Sequence, residues 1–183
     1  MQQIIIKEDF LSLEETNFLL LMAKESIDWD KRNHYFWDDR VISLDRLKVQ
    51  CPESINYLVK EIYLRLKNLI KESYKVDNAF ADTLDLVRWF DGLEQTPHVD
   101  EIPEAHRKWG SVIYLNNDYE GGQTFYPNFN LSVNPKPGMA VVHLGDQEHL
   151  HGVTKIKGNT RYTISSFWGI DPNKTIHFAK SWI

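Results

Sequence analysis

Near residue 79 the apolar period of this 183-residue chain changes from helical to alternating, and the alternation then persists through a series of short segments. Leu84, Leu86, Arg88 and Phe90 fall on one side of an extended stretch, with Thr83, Asp85, Val87 and Trp89 on the other. Further on, Trp109 to Leu115, Gln123 to Tyr126, Leu131 to Val133, Met139 to Leu144, Val153 to Ile156 and Tyr162 to Trp168 are short and rich in strand-forming residues. Asn116-Asn117-Asp118, Gly121-Gly122, Pro135-Lys136-Pro137-Gly138 and Gly145-Asp146 separate them as turns. Strands this dense, with helices confined to the first 75 or so residues, predict a β-sandwich or jelly roll backed by helices, in the α+β class.

The helices can be read from their caps and stripes. Ile4-Ile5-Ile6 predicts a short buried strand, and Ser12 with Glu15 three residues later forms a capping box that opens a helix over about Leu13 to Ser26. A second helix starts near Pro52, with Ile55, Leu58, Val59, Ile62, Leu66, Leu69 and Ile70 on one stripe and charged residues off it. Between the helices lies a segment dense in aromatics and charge around Tyr35, Phe36 and Trp37, which reads equally as a binding loop or as a cover whose rings complete the core. No repeat or linker interrupts the chain, so a single domain over 1–183 is expected, with helical support to about residue 75 and a β-core over about 79–170.

Charge and sorting signals narrow the function classes. A net charge of -5 disfavours a nucleic-acid partner. The longest apolar run, around Leu19-Leu20-Leu21, is too short to span a membrane, and the N-terminus lacks the features of a secretory leader, so a cytoplasmic location is expected. The single cysteine, Cys51, has no internal disulfide partner and reads as an inert thiol. Oligomeric state cannot be read from the sequence.

The chemistry concentrates in four residues. His98 and Asp100 are two apart on a chain expected to be extended, so both side chains leave the same face and can reach one ion. A third ligand must come from a remote strand. His151, in His151-Gly152-Val153, is followed ten residues later by a basic strand residue, Arg161, whereas His143 sits within an alternating strand and reads as a core or supporting residue. His149 is the competing third ligand. Two His and one carboxylate on one face of a ferrous ion leave three positions open. Arg161 offers a permanently charged fork for the far carboxylate of a chelating oxo acid, and Tyr114 and Thr163 could add hydroxyl donors.

These residues, together with Gly110-Ser111-Val112-Ile113-Tyr114-Leu115-Asn116, Tyr119-Glu120-Gly121-Gly122-Gln123-Thr124 and Asn134-Pro135-Lys136-Pro137-Gly138-Met139-Ala140, resemble the Fe(II)- and 2-oxoglutarate-dependent dioxygenases, within them the prolyl 4-hydroxylase-like branch. The likeness covers about residues 83 to 170, and the N-terminal helices match only in general layout. It implies a double-stranded β-helix core with His98, Asp100 and His151 on Fe(II) and with Arg161, Tyr114, Thr163 and Val153 around 2-oxoglutarate. It also implies O2 as oxidant, ascorbate as a reductant, and hydroxylation of a C–H bond, of a prolyl residue in a peptide or protein or else of a free amino acid or other small molecule. A catalytically silent jelly-roll binding module is the reading from another class. Trp89, Tyr35, Trp37 and Trp168, with Phe36 and Phe90, are candidate substrate-channel walls. The chain departs from the branch at Trp89, where a Tyr nine residues before the first His is usual, and carries Arg161 where many prolyl 4-hydroxylases have Lys.

Overall fold

The computed structural model describes residues 4–32, 34–44, 46, 53–101 and 106–182, and Cys51 and Pro52 lie outside them. Helix α1 spans Leu13–Glu25; the Ser12 hydroxyl accepts from Glu15 N while the Glu15 carboxylate accepts from Ser12 N, which is the expected capping box. Helix α2 spans Glu53–Tyr74. Among the described residues twelve strands follow the order β1 (Ile4–Lys7), β2 (Val41–Ser43), β3 (Phe80–Trp89), β4 (Gln95–His98), β5 (Arg107–Tyr114), β6 (Tyr119–Glu120), β7 (Thr124–Tyr126), β8 (Leu131–Val133), β9 (Ala140–Leu144), β10 (His151–Val153), β11 (Lys157–Gly158) and β12 (Arg161–Gly169).

The large sheet runs β1-β9-β5-β12-β3-β2, the small sheet β4-β10-β7-β8, and β11 pairs with β6. The long central strand β12 pairs antiparallel with both β3 and β5. Alternation sorts its side chains: Tyr162, Ile164, Ser166 and Trp168 belong to one face of the large sheet, Arg161, Thr163, Ser165 and Phe167 to the other. The first face meets the α2 stripe, where Val59, Ile62, Leu66 and Ile70 pack with Leu84, Leu86, Ile113, Ile164 and Trp168. Each such aliphatic side chain stabilises the fold by about 1.5–3 kcal/mol. The second face carries the cavity described below.

Several strand boundaries differ from the sequence reading by one to three residues. The strand expected at Val153–Ile156 starts and ends earlier, at His151–Val153, because His151 stands opposite His98 in register while Thr154 turns away to bond Gln123. The short strands β2, β4, β6 and β11 were not delimited in the sequence reading. None of the helices is long and apolar enough to cross a membrane, among the described residues.

Candidate active site

His98 ends β4 and His151 opens β10, so pairing of these strands sets their rings side by side, with centroids 4.5 Å apart. Asp100 follows β4, and the turn carrying it is fixed where Asp100 N and Glu101 N both donate to Gly145 O, at 3.0 and 2.8 Å. The carboxylate then lies 3.6 Å from His98 Nε2 through Oδ1 and 3.5 Å from His151 Nε2 through Oδ2. The ligand atoms of the three residues fall within 4.8 Å of one another.

Protonation fits the same purpose. His98 Nδ1 lies 3.1 Å from Thr96 O and His151 Nδ1 lies 3.0 Å from His149 O. A carbonyl only accepts, so each Nδ1 carries the proton and each Nε2 turns a lone pair toward Asp100. Burial, reinforced by His143, pulls His151 down to about 3 and keeps it neutral despite the opposing Asp100 charge. Burial alone would raise Asp100, but the neighbouring imidazoles of His98, His143 and His151 hold it below the ordinary carboxylate range. Burial also works against charge on His98, and Asp100 with the Thr96 carbonyl more than offsets it, raising this imidazole. Lone pairs converging on a carboxylate repel one another until a cation lies between them. The nitrogen and oxygen donor set suits Fe(II), which His98, Asp100 and His151 would hold.

A second polar cluster lies on the large sheet. Arg161 opens β12 opposite Trp89 and is only 2% exposed, yet its Nε has no hydrogen-bond partner among the described residues. Thr163 Oγ1 is likewise buried and unpartnered among them. Opposite Thr163 in register stands Tyr114, whose hydroxyl lies 2.6 Å from Thr124 Oγ1 and whose ring lies 5.2 Å from the Arg161 guanidinium. Tyr119 adds a hydroxyl that burial pushes up to about 12, the Arg161 charge acting in the opposite direction. Gly122, at φ 65°, makes the room: a Cβ there would come within 2.6 Å of the Tyr119 ring and 3.1 Å of Arg161 Cδ. A buried guanidinium ringed by hydroxyls and short of acceptors is built for a carboxylate. One cavity of about 390 Å³ is lined by Arg161, Thr124, His98, Asp100 and His151 together.

Comparison with known proteins agrees with this geometry. Residues 85–169 match the family described as the 2OG-Fe(II) oxygenase superfamily. The match falls on the β-core of this chain. Among curated proteins, a Xenopus tropicalis 2-oxoglutarate and iron-dependent oxygenase domain-containing protein 3 is 24% identical over 151 residues, covering 72% of this chain and 46% of that protein. The mouse prolyl 4-hydroxylase subunit alpha-1 is 25% identical over 163 residues, covering 68% of this chain and 30% of its own length. The chain thus spans less than half the length of these curated relatives. Among solved structures, the viral collagen prolyl hydroxylase of Paramecium Bursaria Chlorella virus-1, as its 2OG complex, superposes with a TM-score of 0.68 at 17% identity, covering 92% of this chain and 97% of that one. The shared fold is the double-stranded β-helix.

In this β-core the sequence-predicted residues separate into three groups. His98, Asp100, His151, Arg161, Val153, Trp37 and Trp89 line the cavity, and Tyr114 and Thr163 lie beside Arg161. Trp168 is not a wall: it lies on the opposite face of β12, fully buried, with its indole N–H donated to Ser166 Oγ and its ring 5.0 Å from Tyr63 on α2. Phe90 continues that helix-side parity of β3 and is exposed, and Tyr35 stands 97% exposed against His34, outside the cavity lining. His149 turns its Nδ1 to Asp146 Oδ1 at 2.6 Å and packs on Phe129 at 5.0 Å, so it orients His151 through its carbonyl and does not join the three. Sequence reasoning missed Tyr119, Thr124, Asp85, Arg107, Phe167 and the cavity-facing orientation of His143. Parity with Arg161 was the available signal for Phe167; for Tyr119 there was only its place ahead of Gly121-Gly122.

Proposed function

We propose that this chain acts as one Fe(II)- and 2-oxoglutarate-dependent dioxygenase domain that hydroxylates a C–H bond, of a prolyl residue in a peptide or protein. The observation that carries the reading is the shared cavity joining the His98, Asp100 and His151 cluster to a buried Arg161 with an unpartnered Nε. A zinc hydrolase has no use for such an anchor, and a silent binding module has no need of both features. The prolyl substrate is supported by the names of the mouse and viral relatives, which are prolyl hydroxylases. A cytoplasmic site of action and ascorbate as reductant complete the proposal.

When bound, Fe(II) with 2-oxoglutarate supplies O2 activation, yielding succinate and CO2 along with the hydroxylated product. The residues supply binding, orientation and dryness. Arg161 grips the far carboxylate of 2-oxoglutarate, and the Tyr114, Tyr119 and Thr163 hydroxyls satisfy its remaining acceptor sites. Trp89, Val87 and Val153 form an apolar wall that excludes water from the reacting centre. Asp100 and the neutral His151 need no proton transfer to bind, since burial and neighbouring charges already hold them in ligand form. Arg32, Trp37, Arg107 and Phe167 line the remaining part of the cavity, where a substrate would be oriented.

Anaerobic reconstitution with Fe(II) and 2-oxoglutarate, followed by O2 and measurement of succinate against proline-containing peptides and free amino acids, tests the proposal. Peptide-stimulated succinate that His151→Ala abolishes is the expected result. Stimulation by free amino acids alone would move the substrate to the small-molecule class, and no 2-oxoglutarate binding at all would overturn the oxygenase reading.

A further inference from the structure

The ring of Tyr119 stands at the junction of two cavities. On one side it packs with Trp89, Val87, Val153 and Ile156, of which the first three line the reaction cavity. A Cβ on Gly122 would come within 2.6 Å of Tyr119 Cε2 and 3.1 Å of Arg161 Cδ, so the phenol and the Arg161 stem close over the same glycine. On the other side Tyr119 borders an open surface cavity of about 500 Å³, together with Asp118, Glu120, Lys157 and Asn159. Its hydroxyl is buried and has no hydrogen-bond partner among the described residues.

Main-chain pairing, and not a hydrogen bond of its own, holds the ring in place. Tyr119 of β6 stands opposite Gly158 of β11, and Gly158 N donates to Asp91 Oδ1 at 2.8 Å, which ties this two-stranded ribbon to the turn after β3. Asn159 Nδ2 donates to Asp118 O at 2.8 Å and closes the ribbon beside Tyr119. Gly122 N donates to Thr154 O at 3.2 Å, so the glycine beneath the phenol is pinned as well. A ring fixed from three sides resists a ligand that presses on it.

We infer that the Tyr119 ring is the end wall of the co-substrate pocket and sets the length of 2-oxo diacid that the chain accepts. The inference rests on the oxygenase reading of the site and adds a selectivity residue to it. A 2-oxo diacid is held at one end by chelation and at the other by Arg161, so its length is measured between two fixed points. 2-Oxoglutarate is the length which that reading places between them. One further methylene, as in 2-oxoadipate, drives the far carboxylate past the guanidinium and into the phenol. A closed pocket discriminates against one methylene by about 10- to 200-fold. Without the ring, the pocket opens into the surface cavity, where the carboxylate of the longer acid finds room and water.

The test is calorimetric titration of the full chain, loaded with Co(II) as an O2-stable stand-in for Fe(II), with 2-oxoglutarate and with 2-oxoadipate. The unsubstituted chain should prefer 2-oxoglutarate by about 10- to 200-fold. Tyr119→Phe keeps the ring and loses the hydroxyl, so both acids should weaken together and the preference should stay. Tyr119→Ala should bind the two alike, and Tyr119→Leu, which retains apolar packing, takes its place where the Ala variant does not fold. Equal affinities in the unsubstituted chain overturn the inference whether or not any variant folds. A ring-less variant that keeps the preference overturns it too, as does a Phe variant that loses it. Failure of both acids to bind overturns the oxygenase reading, whereas tight 2-oxoglutarate binding without any preference leaves that reading standing.

Discussion

Replacing Gly110 by Ala is the smallest change that reaches the candidate metal centre from the scaffold. The added Cβ would sit 2.3 Å from Asp100 Oδ2, 2.8 Å from His143 Cε1 and 2.9 Å from His143 Nε2. Carbon contacts in packed interiors settle at about 3.5–4.0 Å, so the carboxylate must retreat by roughly 1 Å or more. Retreat is opposed, because Asp100 N is bonded to Gly145 O at 3.0 Å and Gly145 has its own Cβ space closed by Asp100 Cβ at 3.3 Å. Overpacking of this kind costs about 1–3 kcal/mol of stability. Displacing a positioned group by about 1 Å costs on the order of 10²-fold in turnover. The assay is thermal unfolding together with Co(II) affinity and succinate formation, run beside Gly169→Ala at the end of β12, whose Cβ would meet His106 O at 2.3 Å. Both variants should lose stability, and only Gly110→Ala should lose metal affinity in its folded fraction. Equal Co(II) affinity in Gly110→Ala and the unsubstituted chain would refute the argument that this glycine holds the space for Asp100.

Arg161→Ala should weaken 2-oxoglutarate binding by about 10- to 100-fold, since charge-assisted hydrogen bonds are each worth about 1.5–3 kcal/mol, and should leave Co(II) affinity unchanged; calorimetry of both ligands checks it. Trp168→Ala should destabilise by about 3–5 kcal/mol through a cavity against Tyr63, seen as a lower Tm, while the 2-oxoglutarate affinity of the folded protein is retained. For Glu15, burial is outweighed by Arg65 and the Ser12 cap, which hold its carboxyl below the ordinary value. A lowered folded value means stability present above the unfolded value and lost as pH falls through the folded one, so Glu15→Gln should flatten the acid limb of the stability profile in denaturant titrations.

The sequence was most legible where period or cap chemistry is long enough to repeat. The α2 stripe, the Ser12 and Glu15 box and the alternation of β3, β5 and β12 could be read because each engages several residues with one physical demand. His98 and Asp100 were legible as an extended pair, and His151 emerged by its interval to Arg161. What could not be read depended on register. Whether Trp168 faces the cavity or the helices follows from its parity with Ile164, which the sequence shows only once the buried face of β12 is known. His143 read as a core or supporting residue because it sits within an alternating strand; its opposition to Gly110, and hence its approach to Asp100, is a cross-strand fact. Tyr119 belongs to the two-residue strand β6, too short to show a period.

Trp89 shows how the departure from the usual Tyr is built into the site. Its indole carries the Arg40 guanidinium 4.1 Å from the ring centroid and the Arg161 guanidinium 5.3 Å from it. Arg40 also lies over Phe36 and Trp37, at 4.2 and 4.8 Å, and donates to Phe36 O and Arg88 O, while its Nη2 has no partner among the described residues. Burial, and after it the charge of Arg161, pull Arg40 down to about 10, so both guanidiniums stay charged at neutral pH. A tyrosine hydroxyl would give an anion one hydrogen bond; the tryptophan face instead lets a second buried cation approach Arg161 with its charge partly met by π-density. Two like charges in one buried region repel, and an anion placed at Arg161 relieves that repulsion as well as forming its own hydrogen bonds. The substitution at position 89 therefore exchanges one directional donor for a stronger field. On the proposed reading, the carboxylate affinity of this pocket is expected to depend on Arg40, a residue outside the cavity lining, and to fall more steeply with added salt than that of a hydrogen-bonded tyrosine site, which calorimetry of 2-oxoglutarate at rising salt checks.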